Sequence, residues 1–193
     1  MADGTQVLKI IDDMNLGAGS VFIDAGAQTG QELHYLANTD IEVHSFECHP
    51  EHFKQLNKVY GGCRNIELYH ACVYIHDEMI PVYFKHGDSM GSMSLCEAKI
   101  NVNERDGIMV RSIDICNFVS SLGRHVDVLK LDVEGAEFDI IEKLITSHKI
   151  NNISRIYFED HLHKFHDHAW HQKREKVLEM MTAFPNSKFG VWY

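Results

Sequence analysis

The stretch VDVLKLDVEGAEFDII, residues 126–141, decides the fold because its periodicity changes half-way along. Its first half is a short, nearly continuous apolar run, which is typical of a strand buried on both faces. Its second half, after Gly135, places Phe138 and Ile141 on one face of a helix. The stretch therefore predicts a buried strand that turns directly into a helix. It also raises a question, since Lys130 and several acids lie where that strand ends.

The same alternation of apolar runs and helical periods extends over most of the chain. Strands are predicted over residues 20–26, 41–47, 65–73, 126–132, 153–160 and 187–193, and helices over residues 1–19, 28–39, 50–62, 136–149 and 164–183. Between them, the patterns predict a small β-hairpin over 73–87, a loop over 88–95, and a short strand followed by a helix over 109–123. Such alternation predicts an α/β fold with helices on both faces of a mainly parallel, twisted sheet. Ligands bind such sheets at the carboxyl ends of the strands.

The composition is typical of one globular domain, residues 1–193, with 45% hydrophobic and 24% charged residues. No apolar run approaches the roughly 20 residues that span a bilayer, and the N-terminus has no secretory pattern. A net charge of −10 without a basic run argues against nucleic acid and membranes as partners. The five cysteines are scattered and never form a CxxC pair, which suits a reducing, cytoplasmic location.

The first two strand ends carry groups that suit a nucleoside cofactor. The first strand ends in a DxGxxxG pattern formed by Asp24, Gly26 and Gly30, without the third glycine of a dinucleotide fingerprint. The second strand ends in Glu47, whose two carboxylate oxygens can accept both hydroxyls of a ribose. Taken singly, these are also the features of an ordinary tight turn and of a solvated carboxylate. Taken together, they indicate S-adenosylmethionine.

The later strand ends carry small or charged residues. Ala71 and Cys72 leave room for a flat adenine, although simple core packing explains them as well. Lys130 needs an anionic partner if its strand is buried, and either Asp132 or Glu159 can provide one. Two further acids follow in the turn and the helix: Glu134, which stays open between pocket wall, metal ligand and turn residue, and Glu137, which is explained by the favourable charge at a helix start.

The segment HLHKFHDHAWH, residues 161–171, contains five histidines but does not have the spacing of a standard zinc site. Its last three histidines, His166, His168 and His171, lie in a predicted amphipathic helix and suit a solvated face. His161 differs because it follows the fifth strand end directly, so it can face the same pocket as Asp132.

Several of these segments resemble the FkbM family of S-adenosylmethionine-dependent methyltransferases. The resemblance is carried by VFIDAGAQTG, SFECHPEHFKQL, the alanine of HACV, RSIDICNFV and, above all, VLKLDVEGAEFDII. It implies a Rossmann-like class I methyltransferase fold and transfer of a methyl group to a hydroxyl of a sugar, glycan or natural-product-like small molecule. The residues that it assigns to the cofactor are Asp24, Gly26, Gln28, Thr29, Gly30 and Glu47, together with Ala71 and Cys72. One departure is Cys48-His49 before Pro50, where the family commonly has a proline directly after the acid.

For the reaction itself, the resemblance places Lys130, Asp132, Glu134, Glu159 and His161 around the acceptor. Asp132 and His161 are the candidates for the general base, with Lys130 fixing the carboxylate. Two alternatives stay open. In the first, a divalent metal held by Asp132, Glu134, Glu159 and His161 orients the hydroxyl. In the second, the chain is a non-catalytic cofactor-binding module. An NAD oxidoreductase is disfavoured because GxGxxG is absent.

Overall fold

The computed structural model describes residues 5–85, 88–94 and 102–192. Ten strands follow one another within these described residues: β1 (Val21–Ala25), β2 (Glu42–Phe46), β3 (Ile66–Tyr69), β4 (Cys72–Tyr74), β5 (Met79–Lys85), β6 (Asp88–Ser94), β7 (Val102–Asp114), β8 (Val126–Leu131), β9 (Ile153–Phe158) and β10 (Phe189–Val191). The α-helices are α1 (Gln6–Met14), α2 (Gln31–Leu36), α3 (Pro50–Tyr60), α4 (Ile115–Ser121), α5 (Glu137–Thr146) and α6 (His168–Met181). No helix among these residues is both long and apolar enough to cross a bilayer.

The larger sheet has six strands in the order β10-β9-β8-β1-β2-β3, and all of its pairings are parallel. The chain runs outward from β1 to β3 on one side and from β8 to β10 on the other. The order therefore reverses between β1 and β8, where a doubly wound sheet opens its binding crevice. In this register Asp24 of β1 lies opposite Lys130 of β8 on one side and Ser45 of β2 on the other. The predicted Rossmann-like α/β fold is confirmed.

Helices cover both faces of this sheet because its strands are apolar on both. Alternate residues of β1 enter different cores, with Ile23 on one face and Phe22 on the other. The first core takes apolar side chains from α4, α5 and α6, including Phe138. The second core takes them from α1, α2 and α3, including Leu33. The central strands are thus buried on both sides, as the continuous apolar run of β8 predicts.

Side-chain caps set where several helices begin. His49 caps α3 and accepts a hydrogen bond from the backbone N–H of Glu51 at 3.2 Å, with Pro50 in the first turn. Asp167 caps α6 and accepts from Ala169 N at 3.2 Å. The helix predicted over 164–183 therefore begins only at His168, after a 3₁₀ turn over Leu162–Lys164.

The region between β3 and α4 differs from the prediction. β4 pairs in parallel with β7 rather than with β5, so the expected hairpin over 73–87 does not form between these two strands. Instead, β5 pairs antiparallel with both β6 and β7, in a second sheet of order β4-β7-β5-β6. The predicted loop over 88–95 is the strand β6 as far as Ser94, and Leu95 lies outside the described residues. Pairing with distant strands overrides weak local preference here, which periodicity cannot reveal.

Candidate active site

A cavity of about 410 Å³ lies at the carboxyl ends of β1, β2 and β8. Residues that were predicted to bind the cofactor and residues that were predicted to surround the acceptor both line it: Gly26, Gln28, Glu47, Ala71, Cys72, Lys130, Asp132, Glu134 and Glu159. Residues that were not predicted line it too, among them Gln31, Glu32, Cys48, His49 and His52. Of the described residues in the predicted groups, Asp24, Thr29, Gly30 and His161 do not line the cavity. The fold thus brings strand ends that are distant in sequence to one crevice.

Lys130 forms the charged floor of the crevice. Its side chain is 1% exposed, and Nζ donates hydrogen bonds to Asp24 Oδ1 at 3.0 Å and to the carbonyl of Gly26 at 2.8 Å. Burial alone would lower the pKa of Lys130, but the surrounding carboxylates outweigh it and raise the pKa. The nearest carboxylate is thus that of Asp24, whereas Asp132 Oδ2 lies 3.9 Å away. Lys130 holds the two neighbouring strand ends together.

Glu32, in α2, is a partner of Lys130 that the sequence did not indicate. Its carboxylate lies 3.8 Å from Nζ, and the residue is only 4% exposed. Burial raises the pKa of Glu32, while Lys130 opposes that shift. A glutamate in the first turn of a helix usually faces water, so only the packing of α2 over β8 reveals this role.

Glu47 is held in place by backbone donors at the end of β2. Oε1 accepts from His49 N and Oε2 accepts from Gln28 N, both at 2.7 Å. Burial raises the pKa of Glu47 to about 7, although both hydrogen bonds oppose the shift. Gln28 can reach this carboxylate because its backbone adopts a left-handed conformation, with φ 49°. Each carboxylate oxygen retains a lone pair that can accept a ligand hydroxyl.

Gly26 and Gly30 serve different packing needs in the loop after β1. At Gly26 (φ +97°), an added Cβ would lie 1.9 Å from the carbonyl oxygen of Asp132. At Gly30 (φ +82°), it would lie 2.7 Å from Leu56 and 2.8 Å from Tyr60 of α3. Gly26 lets the first loop touch the end of β8, and Gly30 lets α2 start against α3.

Ala71 follows β3 and Cys72 begins β4, and both residues line the cavity. Cys72 is close to Cys48, and this contact together with burial raises the pKa of the Cys48 thiol. The Cys48 thiol is therefore uncharged at neutral pH, and Cys48 and Cys72 both line the cavity. They form a small, weakly polar wall that suits a flat aromatic group.

His161 and three carboxylates meet at the edge of the cavity. His161 Nε2 lies 3.3 Å from Glu159 Oε1, 3.4 Å from Glu134 Oε2 and 3.9 Å from Asp132 Oδ1. Lys164 adds a cation, with Nζ 3.1 Å from Glu134 Oε2. The three carboxylates come from different places: Asp132 follows β8, Glu159 follows β9, and Glu134 lies in the turn between β8 and α5. The structure therefore brings the predicted acceptor-side residues together.

Glu137 holds His161 in place on the side of the ring that faces away from this cluster. It is fully buried, and its carboxylate accepts from Val133 N, Gly135 N and His161 Nδ1, each at 3.0 Å. The explanation by helix-start charge alone is therefore incomplete. Glu137 shapes the turn that carries Glu134, whose φ of 56° is left-handed. In the sequence, the only indication of this role of Glu137 was that several acids follow one another near the end of β8.

The charges in the cluster shift one another. Burial raises the pKa of Asp132 to about 7, with Lys130 opposing and Glu159 adding repulsion. Contact with His161 lowers the pKa of Glu159 to about 2. Burial would lower the pKa of His161, but Glu137 and Glu159 raise it to about 10. The last three histidines of the segment lie outside the cluster: His166 and His168 are exposed, and His171 packs against Trp170.

A family profile described as the Methyltransferase FkbM domain matches residues 24–187. This chain belongs to the FkbM methyltransferase family. The match runs from the acid of the DxGxxxG pattern to a point just before β10, so it includes every residue of the candidate active site. A search of the curated proteins found no match.

Two solved structures are similar to this FkbM methyltransferase, each at 12% sequence identity. One is described as a candidate rRNA methylase from Clostridium thermocellum, with a TM-score of 0.48, covering 96% of this chain and 82% of that chain. The other is described as an rRNA methylase from Streptococcus thermophilus, with a TM-score of 0.46, covering 92% and 80%.

The expectation of a small-molecule or glycan acceptor with nucleic acid excluded is not supported: both structures are described as rRNA methylases, which is said of those two proteins alone. That exclusion relied on a net charge of −10. Net charge is a sum over the whole chain and does not describe the surface around one cavity. The FkbM methyltransferase is therefore not barred from nucleic acid by its composition.

Proposed function

We propose that this FkbM methyltransferase uses S-adenosylmethionine and transfers its methyl group to a hydroxyl oxygen. The observation that carries the proposal is the division of one crevice into two halves. One half has a glycine loop and a buried ribose-type carboxylate, Glu47. The other half has the carboxylates around His161. A binding module would need only the first half.

The first half suits the cofactor. Glu47 can accept the ribose hydroxyls, and Ala71 and Cys72 leave space for adenine. Asp24 lies beneath Lys130, so it acts on the cofactor through the position of that lysine and the Gly26 carbonyl. Lys130 lines the cavity and compensates the charge of the buried acids Asp24 and Glu32.

The second half suits an acceptor hydroxyl. The methyl group of a sulfonium is already activated, so the protein mainly aligns donor and acceptor, which can supply up to roughly 7–11 kcal/mol. A carboxylate that accepts the hydroxyl proton adds on the order of 10²–10⁴-fold. Asp132 is the first candidate because it lines the cavity and contacts both Lys130 and His161.

Binding and chemistry are tested separately. S-adenosylhomocysteine should raise the melting temperature, and NAD should not, because only a ligand that binds the folded state stabilises it. Asp132→Asn should abolish methyl transfer from labelled S-adenosylmethionine while calorimetry still detects S-adenosylhomocysteine. The acceptor panel should carry hydroxyls of different origin, including glycans and RNA ribose. Equal shifts with NAD, or transfer only to nitrogen, would refute the proposal.

A further inference from the structure

A fully buried imidazole nitrogen points into the carboxylate cluster beside the cavity. His161 is 0% exposed, and its Nε2 has no hydrogen-bond partner among the described residues. The atoms nearest to it are carboxylate oxygens of Glu159, Glu134 and Asp132, at 3.3, 3.4 and 3.9 Å. A buried polar atom without a partner costs roughly 1–3 kcal/mol. Its position among three acids therefore calls for a ligand.

The other imidazole nitrogen is fixed. His161 Nδ1 lies 3.0 Å from Glu137 Oε1, and Glu137 is itself anchored by two backbone donors. A carboxylate that holds one ring N–H leaves the second nitrogen free to coordinate, which is how metal-binding histidines are commonly oriented. Glu137 thus aims Nε2 at the cluster.

The spacing of the donor atoms suits one ion. Asp132, Glu134 and His161 each offer a ligand atom, and these atoms lie within 4.8 Å of one another. Donors bound at about 2.0–2.2 Å from a common ion lie roughly 3–4 Å apart. We propose that Asp132, Glu134 and His161 bind one divalent transition-metal cation, with Glu159 beside it. The imidazole ligand favours Mn²⁺ or Zn²⁺ over Mg²⁺, which prefers an all-oxygen shell.

Lys164 is the competing cation. Its Nζ lies 3.1 Å from Glu134 Oε2 and 3.7 Å from Glu159 Oε1, and its side chain is partly exposed. Lys164 approaches the acids from the solvent side, while Nε2 of His161 faces them from the core. An ion between the imidazole and the acids would take the place of a proton on Nε2 as the positive charge on the buried side of the cluster. Lys164 would neutralise the carboxylate oxygens on the solvent side.

This inference deepens the proposed function and relies on it for its purpose. Asp132 and Glu134 line the cavity, so an ion at their oxygens would be open to an acceptor hydroxyl. A bound divalent cation lowers the pKa of a coordinated oxygen and positions it for attack. Metal binding itself can be measured without any methyl acceptor.

The test is a titration of the chelator-treated full chain with Mn²⁺. Binding is measured by calorimetry and by the decrease of the electron paramagnetic resonance signal of free Mn²⁺. One ion per chain is expected in the wild type. Glu134→Gln and Asp132→Asn should each weaken binding at least about tenfold, since even residues that only orient a ligand contribute 10–100-fold. The matched control is Asp160→Asn, which also removes one carboxylate charge, next to Glu159 in the sequence. Asp160 pairs with Arg174 outside the cluster, so this variant should bind Mn²⁺ like the wild type.

Circular dichroism and S-adenosylhomocysteine titrations on the same samples separate the outcomes. No stoichiometric Mn²⁺ or Zn²⁺ binding in a folded wild type, or equal binding by Glu134→Gln, would overturn the metal site. If S-adenosylhomocysteine still bound in that case, the proposed function would stand. Metal binding without any cofactor binding would support the site and refute the function. Lys164→Met should retain Mn²⁺ binding, and its loss would show that the lysine, rather than the three donors, organises the cluster.

Discussion

At the scale of single residues, Lys130 is the group on which most of the crevice depends. It has a buried charge with Asp24 at 3.0 Å and Glu32 at 3.8 Å. A buried ion pair adds little net stability, but removing one partner leaves an uncompensated charge. The strand carries a lysine because the acids on either side need it, so its substitution should affect folding before catalysis.

We expect Lys130→Met to lower the free energy of unfolding by about 3–5 kcal/mol, as for other broken buried pairs. Urea denaturation measures this. The double variant Lys130→Met with Asp24→Asn should recover part of the loss, because it removes both charges. A single variant as stable as the wild type would contradict the proposed role of the lysine.

If Glu47 holds the cofactor as proposed, its raised pKa should give cofactor binding a pH dependence. Its pKa is raised to about 7, so the carboxylate is mostly protonated at pH 6 and mostly ionised at pH 8. If the ionised form accepts the ribose hydroxyls, S-adenosylhomocysteine should bind about tenfold more tightly at pH 8 than at pH 6, and binding at pH 6 should release a proton. Calorimetry in buffers of different ionisation enthalpy measures both effects. Glu47→Gln should bind weakly and lose this part of the pH dependence. An unchanged pH profile in that variant would assign it to another group.

At the scale of elements, two turns at the sheet edge determine whether the site can form. The turn after β1 approaches the end of β8 so closely that Gly26 has no room for a side chain. The turn after β8 holds Glu134 in a left-handed conformation. Backbone strain of this kind persists where surrounding structure imposes it, and it is common at functional sites.

Gly26→Ala separates steric contact from backbone strain when it is compared with Gly19→Ala. Gly19 also has a positive φ, +90°, but nothing lies within 4 Å of its added Cβ. Gly19→Ala should cost about 1 kcal/mol from φ alone, whereas Gly26→Ala should cost on the order of 3 kcal/mol or more. Chemical denaturation compares the two. Similar losses would mean that the loop can move away from β8.

Glu134→Gly and Glu134→Ala test the strain in the second turn. Both remove the carboxylate and its contacts, but glycine accepts φ 56° readily and alanine does not. The glycine variant should therefore be about 1 kcal/mol more stable than the alanine variant. Both should lose methyl transfer to the same extent. An alanine variant of equal stability would mean that the turn relaxes without the carboxylate.

At the scale of the whole molecule, ligand binding should connect segments that are distant in sequence. Residues 26–31, 47–52 and 132–137 meet only because β1, β2 and β8 are adjacent. Saturating S-adenosylhomocysteine should slow amide exchange in these three segments together, while α1, which contributes no residue to the cavity, exchanges as before. Protection confined to residues 26–31 would mean that the ligand binds the first loop alone.

Much of the fold could be predicted from the sequence because its main signals are local. Buried parallel strands are continuously apolar, glycine is required where φ is positive, and helices begin at capping residues such as Asp114, which accepts from Cys116 N at 2.8 Å. The parallel sheet was predicted correctly on these grounds, and the family was predicted correctly from the resemblance of the quoted motifs. The second sheet was not, because β4 pairs with β7 across a long separation that leaves no periodic signal.

The sequence by itself determined which chemical groups stand at the strand ends: a glycine turn with its acid, Glu47, and the charged stretch from Lys130 to Glu137. Only the tertiary structure decided their partners. It assigned Lys130 to Asp24 rather than Asp132, turned Glu137 inward to His161, and aimed His161 at Glu134 and Glu159. The reason is physical. Composition and spacing report what a strand carries, whereas ion pairs and buried donors depend on which strands are neighbours and in what register.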